Sequence, residues 1–488
     1  MNMSNKDKYN VIFIMADQMK ATASSLYSDI GVETPNLERM KKNGVQFENA
    51  ITPHPLCVPA RTSVMSSKYP HTTGCRRNET LMPDNENHVF KVWKEAGFKL
   101  GLIGKNHCFE TENDLKLFDH LDEFTHSGRN GNRDKMEKGS FSVTDSPIES
   151  YDTHIIAEET KSFLNKYKDD NFSLWVSIPD PHEPYEVPRR FFDEAKNSFK
   201  FPNQREDEFN DGTAPERNIL LNKILDFSNN KNSENNQFNE DMVTTYMGMV
   251  KFVDYSIGMI LDEIKNLGLE ENTIVIFTAD HGDFSGEHNM MCKGGVFYDA
   301  LTRVPLIISG GPIIQNDVNI DDPASLIDIM PTVLNIQDIN IPIDYQGKIL
   351  PIVPDGEARE AAFSEYGAGG KPYTLEDLKL LPEPFGYHSL IDCLWAREAE
   401  GRRKMVRTKN WKFVHDPMGD KDELYDLEND PWEHYNLAEK EKYSDKVLEM
   451  KSHLLNWMIE TEDPQPVALP ETVGRPKDIK NDPWKHIK

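Results

Sequence analysis

Long apolar runs are missing from this chain: no stretch reaches the ~18 consecutive apolar residues a membrane-spanning helix needs. The first nine residues are polar, with no basic region leading into a hydrophobic one and a small-residue cleavage site. The expectation is a soluble cytoplasmic protein as the chain is written, or a periplasmic one if a leader has been removed. Cysteine is scarce: Cys57, Cys75, Cys108, Cys292 and Cys393 are odd in number and widely scattered. That excludes a disulfide framework, and with no Cys-x-x-Cys pair there is no cysteine zinc signature. Positive charge is also short: 55 Lys and Arg against 82 Asp and Glu leave a net charge of −27. The sign is wrong for long-range attraction to nucleic acid or an anionic membrane. An anionic substrate would need a local basic pocket in an acidic exterior. No internal repeat is found.

What is present is a 38% apolar and 10% aromatic composition over 488 residues, enough for a large core in two to three domains. Four short apolar runs end in polar residues. Residues 11–16 lead into Asp17-Gln18, and 100–103 into Gly104-Lys105-Asn106-His107. Residues 174–178 lead into Pro179-Asp180-Pro181-His182, and 273–279 into Asp280-His281-Gly282-Asp283. Apolar runs without alternation indicate strands buried on both faces.

Helical patterns lie between them: a start at Thr34-Pro35 with a stop at Gly44, then 89–96, 155–167 and 242–264. The alternation predicts an α/β fold, a large mostly parallel sheet flanked by helices, with ligands collecting at the strands' carboxyl ends. This domain is expected over 1–375. Strand patterns at 405–408, 411–414 and 423–427 and a closing helix over 438–458 predict a smaller C-terminal α+β domain over 376–488, with a polar tail from 471. Residues 199–240, polar and Asn-rich, read as an insertion or mobile loop.

Cys57-Val58-Pro59-Ala60-Arg61 precedes a helical run, and Pro59 fits that helix's first turn. Cys57 would then sit at a helix N-terminus, where exposed N–H groups and the dipole favour an anion, and Arg61 can point back to the same place. A lone cysteine is more often a small buried apolar residue. Here its neighbours argue otherwise.

This segment resembles the signature of the formylglycine-dependent (type I) sulfatases of the alkaline-phosphatase-like superfamily. Asp17-Gln18, Gly104-Lys105-Asn106-His107, His182 before Glu183-Pro184, Asp280-His281-Gly282 followed by Lys293, and the closing Leu424-Tyr425-Asp426-Leu427 agree with it in order and spacing, over roughly residues 9–440. The resemblance implies that Cys57 becomes formylglycine. One hydroxyl of its hydrate attacks sulfur, and loss of the second hydroxyl's proton releases sulfate. A maturation enzyme is then a required partner. The resemblance also implies that Asp17, Gln18, Asp280, His281 and modified Cys57 hold a divalent metal. Oxygen donors suit Ca²⁺, the first choice, and the imidazole leans toward Mn²⁺, with Mg²⁺ a further alternative. Two positions depart from the commoner pattern: Gln18 where Asp is usual, and His281 where Asn is often found.

By the same likeness, Arg61, Lys105 and Lys293 neutralise sulfate oxygens. His107 assists the second hydroxyl, and His182 and Lys293 are candidate acids for the leaving alcohol. Asn78 is a further substrate-binding candidate. The expected substrate is a sulfated carbohydrate, with Trp395, Arg397, Arg402 and Arg403 available to face a sugar. The alternatives are choline or aryl sulfate, a phosphonate monoester hydrolase or phosphodiesterase of the same superfamily, and an inactive sulfoglycan-binding protein. Lys105 with His107 favours a compact sulfate monoester over the phosphoester reading.

Overall fold

The computed structural model describes residues 8–80, 82–126, 128–129, 141–225, 236–313, 316–380 and 400–461. Cys393, Trp395, Arg397 and the 471–488 tail lie outside them. A nine-stranded sheet forms the centre. Its middle strand, Asn10–Ala16, is buried along its whole length, as an apolar run without alternation requires. It pairs in parallel with Thr273–Ala279 on one side and Phe172–Ile178 on the other. Phe172–Ile178 pairs in parallel with Lys99–Lys105, which pairs in parallel with His120–Thr125. These five strands run the same way, so their polar carboxyl ends meet along one edge. Leu306–Gly310 joins antiparallel beyond Thr273–Ala279 and carries Gly44–Phe47 and Val318–Ile320.

Helices flank the sheet. The long helix Asn236–Asn266 packs against Pro35–Lys42, Asp152–Tyr167 and Arg189–Ala195, and Cys57–Ser66 packs with Val89–Glu95 and Ile329–Ile336. No helix among the described residues is long and apolar enough to cross a membrane.

A second, four-stranded antiparallel sheet runs Ala362–Gly370, Gly401–Arg407, Trp411–His415, Glu423–Asp426. The closing helix Ser444–Thr461 buries Met450, Leu454 and Trp457 with Val406 and Phe413 of this sheet. Strand pairing thus groups 362–370 with the second sheet, ahead of the boundary expected at 375.

Three local expectations change. Thr34 makes no side-chain cap; the Asp254 carboxylate accepts from Asn36 N and Leu37 N at 3.1 and 2.8 Å, so a distant acid replaces the local hydroxyl. Gly44 opens a strand, and the helix closes at Asn43. Within 199–240, Glu216–Leu225 is a helix whose Leu220, Leu221, Ile224 and Leu225 are buried in a cluster with Phe284, Val296 and Tyr298. Its apolar residues recur at helical spacing, and the polar composition around them hid the signal.

Gly104 is the hinge that sets the Lys105 segment. Its φ is +111°, and a Cβ there would lie 1.9 Å from the Ser177 carbonyl oxygen. Gly104→Ala is expected to destabilise the protein by about 3 kcal/mol or more, from backbone strain plus overlap. Gly268→Ala, at φ +66° with open space around it, should lose only about 1 kcal/mol. Equal urea midpoints for the two variants would refute the close-packing explanation.

Candidate active site

Cys57 is the first residue of the helix Cys57–Ser66, all ten of whose residues are buried. It stands among groups delivered by four parallel strand ends. Its Sγ is 3.7 Å from Asp17 Oδ1, 3.2 Å from His281 Nε2, 3.6 Å from Lys105 Nζ and 3.2 Å from Lys293 Nζ. Ligand atoms of Asp17, Cys57, Asp280 and His281 all lie within 4.8 Å of one another.

Arg61 is fully buried and holds the two carboxylates in place. Its Nε donates to Asp280 Oδ2 at 2.8 Å and its second terminal nitrogen to Asp17 Oδ2 at 3.1 Å. The first terminal nitrogen donates to the Lys105 carbonyl and Ser177 Oγ. Asp280 Oδ1 accepts two backbone N–H groups, from Gln18 at 3.0 Å and His281 at 2.9 Å. Burial pushes the Asp17 carboxyl up, but Lys105, His182, Arg61 and His126 together hold it well below the carboxylate range. Asp280 is likewise low: burial and Asp17 oppose ionisation, and His281, Arg61 and Lys105 outweigh them. Both are therefore anionic.

Gln18 occupies the left-handed region at φ +68°, and Tyr246 donates to its carbonyl at 2.9 Å. Its Nε2 donates to Asp283 Oδ2 at 2.5 Å and Glu183 Oε2 at 3.1 Å. The side-chain oxygen is buried with no hydrogen-bond partner. A buried acceptor without a donor is costly unless something positive meets it. With two carboxylates and an imidazole alongside, this donor set fits a divalent cation.

Lys293 Nζ reaches His182 Nε2 at 3.0 Å and His281 Nε2 at 3.1 Å. His182 Nδ1 lies 2.5 Å from the Glu183 carbonyl oxygen and 3.1 Å from its carboxylate, so that nitrogen donates and Nε2 accepts from the Lys293 ammonium. Burial, then His126 and Lys293, push His182 well below the ordinary histidine range. Of the two candidate acids, Lys293 carries the proton.

His107 follows Lys105-Asn106 at φ +48° and is half-buried. Asn78 accepts from Val58 N at 3.1 Å and so caps the Cys57 helix. Arg403 is buried, with its guanidinium committed to Glu400 and Asp416.

Sequence reasoning missed His126. Its ring stacks on His182 at 3.8 Å, and its Nε2 lies 2.7 Å from Lys105 Nζ. It stands just past the carboxyl end of His120–Thr125, so the strand-end rule that selected the others applied to it as well. Glu183 and Asp283, which orient His182 and Gln18, were also passed over.

Burial and Asp17 raise the Cys57 thiol, yet Lys105, Lys293 and His281 bring it down to about 7. Burial pushes Cys75 up to about 12. In metal-free chain that still carries the thiol, iodoacetamide labelling of Cys57 should rise with pH around a midpoint near 7, since the thiolate is the nucleophile. Lys293→Ala should move that midpoint up. A midpoint near the ordinary ~8.5, read by peptide mass spectrometry, would refute the cationic ring.

Comparison with known proteins places this geometry in context. A family model described as Sulfatase matches residues 9–339. The chain is 26% identical to the ulvan-active sulfatase of Formosa agariphila, over 93% of this chain and 82% of that one. Among solved structures, one determined with its substrate D-glucosamine-2-N,6-O-disulfate superposes with a TM-score of 0.72 at 22% identity, covering 94% of this chain and 99% of the other. The phosphonate monoester hydrolase of Agrobacterium radiobacter superposes at 0.74 with 21% identity, covering 93% and 96%. At these identities the structural likeness establishes the fold.

Proposed function

This chain belongs to the sulfatase family and hydrolyses sulfate esters, and from that premise we propose that its substrate is a sulfated carbohydrate, attacked by a formylglycine made from Cys57 beside a divalent cation. The observation that carries the proposal is position 57: a helix N-terminus with two ammonium groups, two carboxylates and an imidazole converging on one side chain. Nothing in the packing of an ordinary core cysteine calls for that charge.

Asp17, Gln18, Asp280, His281 and modified Cys57 would hold the cation, with Ca²⁺ proposed and Mn²⁺ or Mg²⁺ as alternatives. When bound, it supplies positive charge that acidifies a hydroxyl at position 57 and draws charge from the ester oxygens. Arg61 keeps the two carboxylates oriented. Lys105 and Lys293 bind sulfate oxygens, which gives the acidic protein the local basic pocket an anionic substrate requires. Lys293 Nζ protonates the departing alcohol, with His182 Nε2 fixing its direction and Glu183 fixing His182. His107 takes a proton from position 57. Asn78 acts by holding the helix end that presents that position. Maturation needs a formylglycine-generating enzyme as partner.

Support for the carbohydrate comes from the name of the Formosa relative. The fold likeness to a phosphonate hydrolase makes a second measurement necessary. Matured protein is to be assayed for sulfate release from defined sulfated saccharides and choline sulfate, in parallel with a phosphonate monoester. Turnover is expected on saccharides first. Choline sulfate as the sole substrate, or a clear preference for the phosphonate, would overturn the assignment.

A further inference from the structure

Outside the active site, Glu208, His288 and His434 come together from three separate stretches of chain. One carboxylate oxygen and one ring nitrogen of each histidine all lie within 4.8 Å of one another. Glu208 belongs to the segment before the helix Glu216–Leu225, His288 to the short turn Glu287–Asn289, and His434 to the stretch after the strand Glu423–Asp426. Glu208 and His288 are only 4% and 3% exposed, and His434 is half-buried.

The cluster is held from several sides. His288 Nδ1 is 2.7 Å from Glu208 Oε1, and the Tyr298 hydroxyl lies 3.3 Å from the same oxygen. The His288 ring stacks on Tyr298 at 3.7 Å and meets the His434 ring edge-on at 5.6 Å. His288 sits at φ +54°, a backbone conformation an L-residue keeps only where its surroundings over-determine it. The His434 backbone is fixed at both ends, its N–H donating to Asp430 at 3.1 Å and its carbonyl accepting from Arg205 at 2.6 Å. Only its ring need turn. The Arg205 guanidinium is already committed to Asp207 and Asp211, at 2.8 and 2.7 Å.

We propose that Glu208, His288 and His434 form a second metal site, separate from the Asp17–Asp280 centre, for a borderline divalent ion of the Zn²⁺ class. Two imidazoles and one carboxylate favour Zn²⁺, Co²⁺ or Ni²⁺ over Ca²⁺ and Mg²⁺, which prefer all-oxygen cages. Three donors at ~2.0–2.2 Å from such an ion stand roughly 3.2–3.6 Å apart, so the His288–Glu208 pair opens slightly from 2.7 Å while the His434 ring turns inward, both by small side-chain rotations. A water completes the set on the half-exposed His434 side. The ion would staple the 205–211 segment and the C-terminal stretch around 434 to the 284–292 loop, which leads from Asp283 to Lys293. The site is therefore a clamp on the active-site wall, and its existence does not depend on the substrate or on formylglycine.

The test uses the full chain, stripped by chelator and titrated with Zn²⁺, as wild type and as His434→Ala. Wild type should bind one more Zn²⁺ per chain than the variant, by calorimetry and by metal content after gel filtration. Co²⁺ should give visible d–d absorption in wild type that weakens or disappears in the variant. Zn²⁺ should raise the wild-type unfolding midpoint further than that of His434→Ala. Because His434 is half-exposed, the metal-free midpoints should agree closely, and Glu208→Gln should repeat the loss of one equivalent. Equal zinc stoichiometry in wild type and His434→Ala would overturn the proposal, as would identical cobalt spectra.

Discussion

Cys57→Ala should lower kcat for sulfate ester hydrolysis by at least about 10⁴-fold, or about 5.4 kcal/mol of transition-state stabilisation. Residues that work as a unit with a nucleophile leave little behind once the nucleophile is gone. The fold should barely register the change. Cys57 is buried within a helix that Asn78 caps through Val58, and alanine is a strong helix former that removes only one atom. The unfolding midpoint should thus move by no more than about 1 kcal/mol in free-energy terms. Inhibition by inorganic sulfate should persist, since Lys105 and Lys293 remain. Cys57→Ser is the sharper comparison: a hydroxyl can replace the first attack but cannot supply the second hydroxyl of an aldehyde hydrate. A single burst without turnover is expected in that variant. Sustained turnover by Cys57→Ala would mean that some other group attacks sulfur.

The parts of this centre that could be read from sequence were those that sit where apolar runs stop. The runs ending at Asp17, Lys105, His182 and Asp280 are strands buried on both faces, and the parallel register delivers all four ends to one edge. The same logic covered His126, but its strand, His120–Thr125, is partly exposed and charged, so no continuous apolar run marked it. Arg61 was legible as a basic residue near Cys57. Its partners were not, because the two carboxylates it joins are 44 and 219 positions away. In sequence, Gln18 was only a departure from the commoner Asp. In the fold its amide nitrogen is spent on Asp283 and Glu183, which orients the side chain and leaves the oxygen as its available donor. The helix Glu216–Leu225 was hidden for a different reason: its apolar face is short and lies within a polar, Asn-rich stretch, so composition outweighed period.

Arg61→Ala should destabilise metal-free protein by about 3–5 kcal/mol, because removing one partner of a buried ionic set strands the others. Asp17 and Asp280 are completely buried, and Arg61 touches both. Near 2.1 cal/mol/K per residue, that is a fall of only a few degrees in a chain this size, so denaturant midpoints are the better measurement. The pH dependence follows from the direction of the shifts. Both carboxyls are held below their unfolded values, so their stabilising contribution is present above the unfolded ~3.9 and is lost as pH falls through the folded values. The gap between wild type and Arg61→Ala should therefore be widest near neutrality and close in acid. A divalent cation neutralises the same two groups, so saturating Ca²⁺ or Mn²⁺ should stabilise Arg61→Ala more than wild type. Arg61→Lys should recover only part of the loss, since one ammonium cannot span Asp17, Asp280, the Lys105 carbonyl and Ser177 as the guanidinium does. If metal stabilised both proteins equally, Arg61 would be acting on packing alone, and its place between the carboxylates would have no electrostatic purpose.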